Sequence, residues 1–179
     1  STRIDGSGFV WVSSKTGILR LTDDDYRIYQ LPYETWNVIT VKLEYQNTDL
    51  FAITNNGQLF VYNKVQDRFD LIVNLARELN DPFLTISNKV IDQKGRIWIA
   101  SGIGLIMYEN GNIHHFDEQG QISYVEWYDD QRVILAGLNE LSLFNINSRR
   151  VETLFSENII GQLGVSKLFF EQHSGNIWI

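Results

Sequence analysis

The sequence predicts an all-β chain, a fragment of a β-propeller with about four blades, each a four-stranded antiparallel sheet. Three observations carry this expectation. A segment reading polar turn, Gly, variable residue, β-branched, Trp, β-branched recurs along the chain. It returns at near-constant intervals, and each interval holds four short apolar runs separated by turn residues.

The segment stands in full at Asp5-Gly6-Ser7-Gly8-Phe9-Val10-Trp11-Val12, Asp92-Gln93-Lys94-Gly95-Arg96-Ile97-Trp98-Ile99 and Gln172-His173-Ser174-Gly175-Asn176-Ile177-Trp178-Ile179. Two degenerate copies lie between, with Phe51 and Ile134 at the Trp position. Successive Trp positions are 40, 47, 36 and 44 residues apart, a period of about 42 that matches propeller blades. Six residues beyond each stand Gly17, Gly57, Gly104 and Glu140, and ten beyond stand the apolar Leu21, Val61, Tyr108 and Phe144. Blade-like repeats therefore fall near 5–37, 40–80, 87–118 and 123–157, with a partial copy at 165–179, all in one propeller domain over 1–179.

The third copy displays the four strands. Asn88–Ile91 leads into the turn Asp92–Gly95, Arg96–Ala100 follows, then a turn at Gly102–Gly104, then Leu105–Tyr108. Asn110-Gly111 comes next, before Ile113–Phe116. Asn-Gly between apolar runs is a hairpin signal because both residues tolerate positive φ. Strands this short need sheet-on-sheet stacking to be stable. That stacking explains why Val10, Trp11 and Val12 are apolar without alternation, since a strand buried on both faces has no wet side. Trp11, Trp98 and Trp178 are expected to wedge between blades rather than to serve as ligand platforms. Gly17, Gly57 and Gly104 are expected where a hairpin turn needs positive φ. In the longest period, Leu71, Ile72, Leu75 and Leu79 have the spacing of a short amphipathic helix ended by Asp81-Pro82, an insertion on a blade edge.

Composition narrows the function. Fifteen basic residues against 22 acidic ones leave a net charge of −7, which disfavours nucleic acid and anionic membrane surfaces as partners. The chain has no cysteine, so disulfides, thiolate catalysis and cysteine-ligated metals are excluded. No apolar run is long enough to cross a bilayer, and the start does not read as a secretory signal. The three histidines are His114, His115 and His173. Adjacent strand residues point to opposite faces, so His114 and His115 do not share a metal. No catalytic constellation, metal site or cofactor is expected. Gly102-Ile103-Gly104 lacks the third glycine and the helix of a dinucleotide loop. The candidate ligand-binding residues are Tyr33, Trp36 and Asn37, because a sugar ring stacks its apolar face on aromatic rings. Packing of Tyr33 and Trp36 onto a blade is the structural alternative.

Asp92, Gly95, Ile97, Trp98, Ile99, Gly104, Leu105 and Tyr108 together resemble the two-component regulator propeller repeat. Asp5, Gly8, Val10, Trp11, Val12, Gly17 and Ile18 follow the same pattern, while the second and fourth copies have lost the Trp. The resemblance implies an extracytoplasmic, periplasmic sensing module of a hybrid two-component histidine kinase. Many sensors of that family respond to oligosaccharides. Other blades or domains of a parent receptor are then the expected neighbours. The partial fifth copy predicts a fragment of a larger propeller, whose open blade faces favour homo-oligomerisation. The alternatives are a propeller lyase with a metal at the ring centre, which the scarcity of histidine disfavours, and a purely structural interaction propeller.

Overall fold

The computed structural model describes residues 2–14, 17–22, 24–31, 41–46, 49–117, 120–138, 140–156 and 168–179. The chain divides into two compact units, Ser1–Leu84 and Thr85–Ile179.

In the first unit, β1 (Thr2–Ile4), β2 (Val10–Ser14), β3 (Gly17–Leu21) and β4 (Tyr26–Tyr29) form an antiparallel meander. A second meander follows with β5 (Val41–Gln46), β6 (Asp49–Thr54), β7 (Gln58–Asn63) and β8 (Arg68–Asn74). In the second unit, β9 (Ile86–Ile91), β10 (Ile97–Ser101), β11 (Gly104–Glu109) and β12 (Asn112–Phe116) make the third sheet. The fourth comprises β13 (Tyr124–Asp129), β14 (Arg132–Ala136), β15 (Glu140–Asn145) and β16 (Val151–Ser156). A two-stranded sheet, β17 (Phe169–Glu171) with β18 (Asn176–Trp178), comes last. The protein is therefore all-β, with four blade-like sheets of neighbouring, hairpin-joined strands. The first sheet takes in Thr2–Ile4, ahead of the Asp5 at which the repeat begins in sequence.

Within each unit, packing follows one rule. The residue at the Trp position faces the next sheet, and the residues flanking the corresponding position of that sheet face back. Trp11 clusters with Leu50 and Ala52, which bracket Phe51. Trp98 clusters with Val133 and Leu135, which bracket Ile134. Ile134 clusters with Leu168 and has Ile177, next to Trp178, against it. Trp11, Trp98 and Ile134 are wholly inaccessible to solvent, as wedges between sheets should be. All five residues of β10 are buried, which accounts for the unbroken apolar run Ile97-Trp98-Ile99.

Two wedge positions depart from the expectation. Phe51 is only half-buried, and the neighbouring Leu50 and Ala52 bury more completely. Trp178 is 60% exposed, whereas Ile177 beside it packs against the Ile134 cluster.

The glycines take positive φ, at 145° for Gly17, 83° for Gly57 and 119° for Gly104. At Gly17 a Cβ would stand 2.4 Å from the Tyr29 carbonyl oxygen, and at Gly104 one would stand 2.5 Å from that of Phe116. Both glycines therefore let the outer strand approach closely. Gly57 differs in register. It lies in the turn before β7, where Gln58 begins the strand, and the Gln58 amide bonds the Thr54 hydroxyl at 2.9 Å. At Asn110-Gly111 both residues have positive φ, as the hairpin signal requires.

The expected helix is shorter than its apolar spacing implied. Leu71 and Ile72 belong to β8, where Leu71 pairs with Phe60, and only Leu75–Glu78 is helical, as α1. Pairing of β8 along β7 satisfies the backbone over 68–74 and overrides the helical periodicity. The Asn74 side chain then caps α1 by accepting the Arg77 amide.

Candidate functional site

The proposed ligand residues Tyr33, Trp36 and Asn37 lie outside the described residues. What the described residues contain is a set of polar clusters built on the sheet contacts.

The first is the repeat motif itself. The Asp92 carboxylate accepts the amides of Lys94 and Arg96 at 2.9 and 3.0 Å, Arg96 Nε at 2.5 Å and Trp98 Nε1 at 2.9 Å. Asp5 does the same in the first sheet, accepting Ser7 and Phe9 amides at 2.9 and 3.1 Å and Trp11 Nε1 at 2.7 Å. One carboxylate thus folds the turn and satisfies the only polar atom of a buried indole. Gly8 and Gly95 follow at φ 85° and 82° and bond back to the carbonyls of Asp5 and Asp92. The Asp-x-x-Gly-x-x-Trp spacing is consequently a folding device. In the fourth sheet, Asp129 keeps the turn through Gln131 N and Arg132 Nε, both at 2.8 Å, without an indole to bind. Burial pushes its carboxyl up, but the bonds from Arg132 and Gln131 outweigh this and hold it below the ordinary value.

The second cluster, between the first two sheets, is one that sequence reasoning missed. Asp67 sits in the β7–β8 turn at φ 49°. Its Oδ1 accepts Tyr29 Oη at 2.7 Å, Arg20 Nη1 at 3.3 Å and the Tyr62 hydroxyl, while Oδ2 pairs with Arg27. Arg20 also bonds Tyr62 Oη at 2.8 Å and spreads over the rings of Phe9, Trp11 and Tyr29 at 5.2, 5.5 and 5.6 Å. Tyr62 lies edge-on to Trp11 with centroids 4.7 Å apart. Burial, followed by hydrogen bonding to Asp67, pushes both the Tyr29 and Tyr62 hydroxyls up. Burial also pushes Asp67 up, but the bonds from Tyr62 and Tyr29 and the charges of Arg20 and Arg27 prevail, and the net shift is down. Tyrosines held protonated and a carboxylate engaged by four donors are poor nucleophiles and bases. The arrangement is a clamp between sheets.

The corresponding place between the third and fourth sheets has the opposite charge. Asn63 Oδ1 accepts the amides of Val65 and Gln66, and Asn145 Oδ1 accepts those of Asn147 and Ser148, so the two turns are built alike. Arg149, at φ 55°, then takes the place of Asp67. Phe116 and Phe144 replace Tyr29 and Tyr62, and the Arg149 guanidinium lies 5.4 Å from the Phe116 centroid. Hydroxyls call for an acceptor and bare rings accommodate a cation.

Surface depressions lie among the described residues of both units. One, of about 390 Å³, is lined by Ser7, Gly8, Phe9, Val10, Leu21, Thr22 and Asp24. Another is lined by Asp129, Asp130, Gln131, Arg132 and Asn145. Neither gathers an aromatic platform with converging polar groups. His115 Nε2 contacts the Ile103 carbonyl at 2.9 Å, whereas His114 is exposed. Among the described residues no group of three or more His, Asp or Glu side chains is placed to hold a metal ion. No helix among them is long and apolar enough to cross a membrane.

No family model matches the sequence, and no curated protein matches it. Solved structures do. The chain superposes with a TM-score of 0.73 and 16% identity on the extracellular domain assigned to a hybrid two-component system, BT3049, of B. thetaiotaomicron, over 99% of its own length. It matches the extracellular domain assigned to a one-component system, BT4673, of the same organism with TM-score 0.70 and 18% identity, again over 99%. It spans 26% and 27% of those two chains, about a quarter of each. A calcium-binding protein, regucalcin, of Agrobacterium tumefaciens matches with TM-score 0.62 and 14% identity, over 89% of this chain and 60% of that one. At these identities the likeness concerns the fold, which is propeller-like, in keeping with the four blade-like sheets among the described residues.

Proposed function

We propose that this chain is a ligand-sensing, extracytoplasmic module of a two-component signalling receptor, and that it responds to an oligosaccharide. The observation that carries the reading is the match over 99% of the chain to extracellular domains of B. thetaiotaomicron signalling systems. The repeat motif adds support, because its recurring polar residues go into folding turns and capping indoles rather than into a reaction centre. The same likeness supports an extracytoplasmic location, which in this reading is the periplasm. In this reading the module is not an enzyme, and Tyr33, Trp36 and Asn37 provide the aromatic platform and planar amide that a sugar needs.

Titration calorimetry of the chain against a panel of oligosaccharides tests this. The expected result is saturable heat with at least one sugar, lost on Trp36→Ala and Tyr33→Ala. Absence of heat and of any thermal shift with every sugar would make the chain an interaction propeller. Metal-dependent turnover of a substrate would make it a lyase-like enzyme.

A further inference from the structure

Two connections that leave the sheets of the first unit share a pattern. β4 ends at Tyr29 beside Ile18, and β8 ends at Asn74 beside Gln58, so each strand stops next to the turn that joins its sheet's second and third strands. The connections that follow, 30–40 and 75–85, are equal in length, while 117–123, after β12, is shorter. The first carries Tyr33, Trp36 and Asn37, and the second carries Phe83 and Asn80, whereas 117–123 has neither an aromatic residue nor an asparagine. Phe83 is 86% exposed, yet the backbone that carries it is fixed. The Asp81 amide donates to the Ala76 carbonyl at 2.9 Å, the Asp81 carboxylate accepts the Phe83 amide at 3.0 Å, and the Asp81 carbonyl accepts the Leu84 amide at 3.2 Å. Leu75 and Leu84 are buried, and the Leu75 amide bonds the Gly57 carbonyl at 2.8 Å. A Cβ at Gly57 would stand 2.8 Å from Leu84 and 3.2 Å from Leu75, so the connection lies tightly on the β6–β7 turn.

We propose that Phe83 is a stacking platform for one ring of a neutral oligosaccharide. The inference rests on the sensing role proposed above and adds to it a contact residue and the charge class of the ligand. A phenyl ring on a mobile tip can fold back and hide its apolar face, but this one is held out by the bonded turn beneath it. A contact already fixed in place needs little ordering when a ligand arrives. The C–H face of a sugar ring packs on such a surface, and its hydroxyls need planar polar partners, which the exposed Asn80, at φ 53°, offers in the same turn. Charge selects among sugars. Glu78 and Asp81 outnumber Arg77 in this connection, and the chain as a whole carries −7, so a polyanionic glycan meets repulsion that a neutral one does not.

Calorimetric titration of the whole chain with cellohexaose, maltohexaose, xylohexaose and mannohexaose, and with a galacturonate hexamer as the acidic probe, tests the assignment. At least one neutral sugar should bind, and the acidic hexamer should give no heat. Phe83→Ala should weaken binding by about tenfold or more, as loss of an aromatic anchor does, while Phe83→Trp should keep it. Val65→Ala, at an apolar residue 95% exposed in another turn, should leave the affinity unchanged. The melting temperature of Phe83→Ala should match wild type, because the ring is on the surface, so that lost binding is not lost folding. Should wild type bind none of the sugars, the sensing role falls and this inference with it. Should a neutral sugar bind Phe83→Ala as tightly as wild type, the platform falls while the sensing role stands. Tighter binding of the galacturonate hexamer would overturn the charge class. Self-association of wild type that Phe83→Ala abolishes, with sugar affinity intact, would instead assign the ring to a contact between copies.

Discussion

The Trp98 indole donates a 2.9 Å hydrogen bond to the carboxylate of Asp92, six residues earlier in the chain. Trp98 is wholly buried and Asp92 is 2% exposed. The same carboxylate closes the turn and pairs with Arg96 at 2.5 Å. A buried indole with no acceptor leaves its N–H unsatisfied, and a buried carboxylate with no donors is costlier still. The pair stands at Asp5–Trp11 and Asp92–Trp98, whereas the fourth sheet keeps a turn carboxylate, Asp129, with Ile134 at the Trp position and the last copy keeps Trp178 with Gln172 in place of the Asp.

Replacing Asp92 with Ala leaves Arg96 and Trp98 buried without their partner. Stability should fall by about 3–5 kcal/mol, the cost of breaking a buried ion pair. Urea unfolding measures it, and a loss below about 1 kcal/mol would show the carboxylate to be incidental, because even one ordinary hydrogen bond is worth that much.

The two tryptophans should respond differently. Trp98→Ala is expected to cost about 3–5 kcal/mol through the cavity it opens. Trp178→Ala in dilute, monomeric protein should change stability by no more than about 0.5 kcal/mol, as surface substitutions do. Equal losses at both positions would mean that the last sheet is covered in solution.

Glycine substitutions separate close approach from φ alone. Gly104→Ala places a Cβ 2.5 Å from the Phe116 carbonyl oxygen and should cost about 2–3 kcal/mol, near the upper end for backbone strain. Gly111→Ala meets nothing within 4 Å and pays only for φ +84°, about 1 kcal/mol. Thermal midpoints of the two variants give the ranking, and a reversed order would refute the contact.

Protonation should loosen the Asp67 clamp at acid pH. Its folded carboxyl titrates below the unfolded one, so the stabilisation is present above the unfolded value and is lost as the pH falls through the folded one. For Tyr29 and Tyr62 the folded values are raised. Their contribution is intact below about pH 10, where an unfolded tyrosine ionises, and declines as the pH rises beyond that. Asp67→Asn should flatten the acid limb of a stability–pH profile, and Tyr62→Phe the alkaline limb. Unchanged limbs in both variants would remove the clamp.

Blade period, turn positions and strands other than the end of β8, where Leu71 and Ile72 read as helix, were legible in the sequence, because each is governed by neighbours within about ten residues: an Asp that closes its own turn, an Asn-Gly hairpin, an apolar run at Ile97–Ile99. The candidate site was not. Tyr33, Trp36 and Asn37 fall outside the described residues, and the Asp67 cluster joins residues 38, 40 and 47 positions apart. Aligning the copies by their Asn63 and Asn145 turns would have paired Asp67 with Arg149, the one sequence signal available.

By itself the sequence determined most of the segments that pair into sheets, since turn conformations depend on local residues, while the pairing of β8 with β7 decided Leu71 and Ile72. Tertiary structure decided which wedge residues are buried and which turn carries an anion or a cation. Trp98 and Trp178 lie in near-identical strands, yet one is sealed and the other open. Burial belongs to the surface that a neighbouring sheet supplies, and no strand encodes its neighbour.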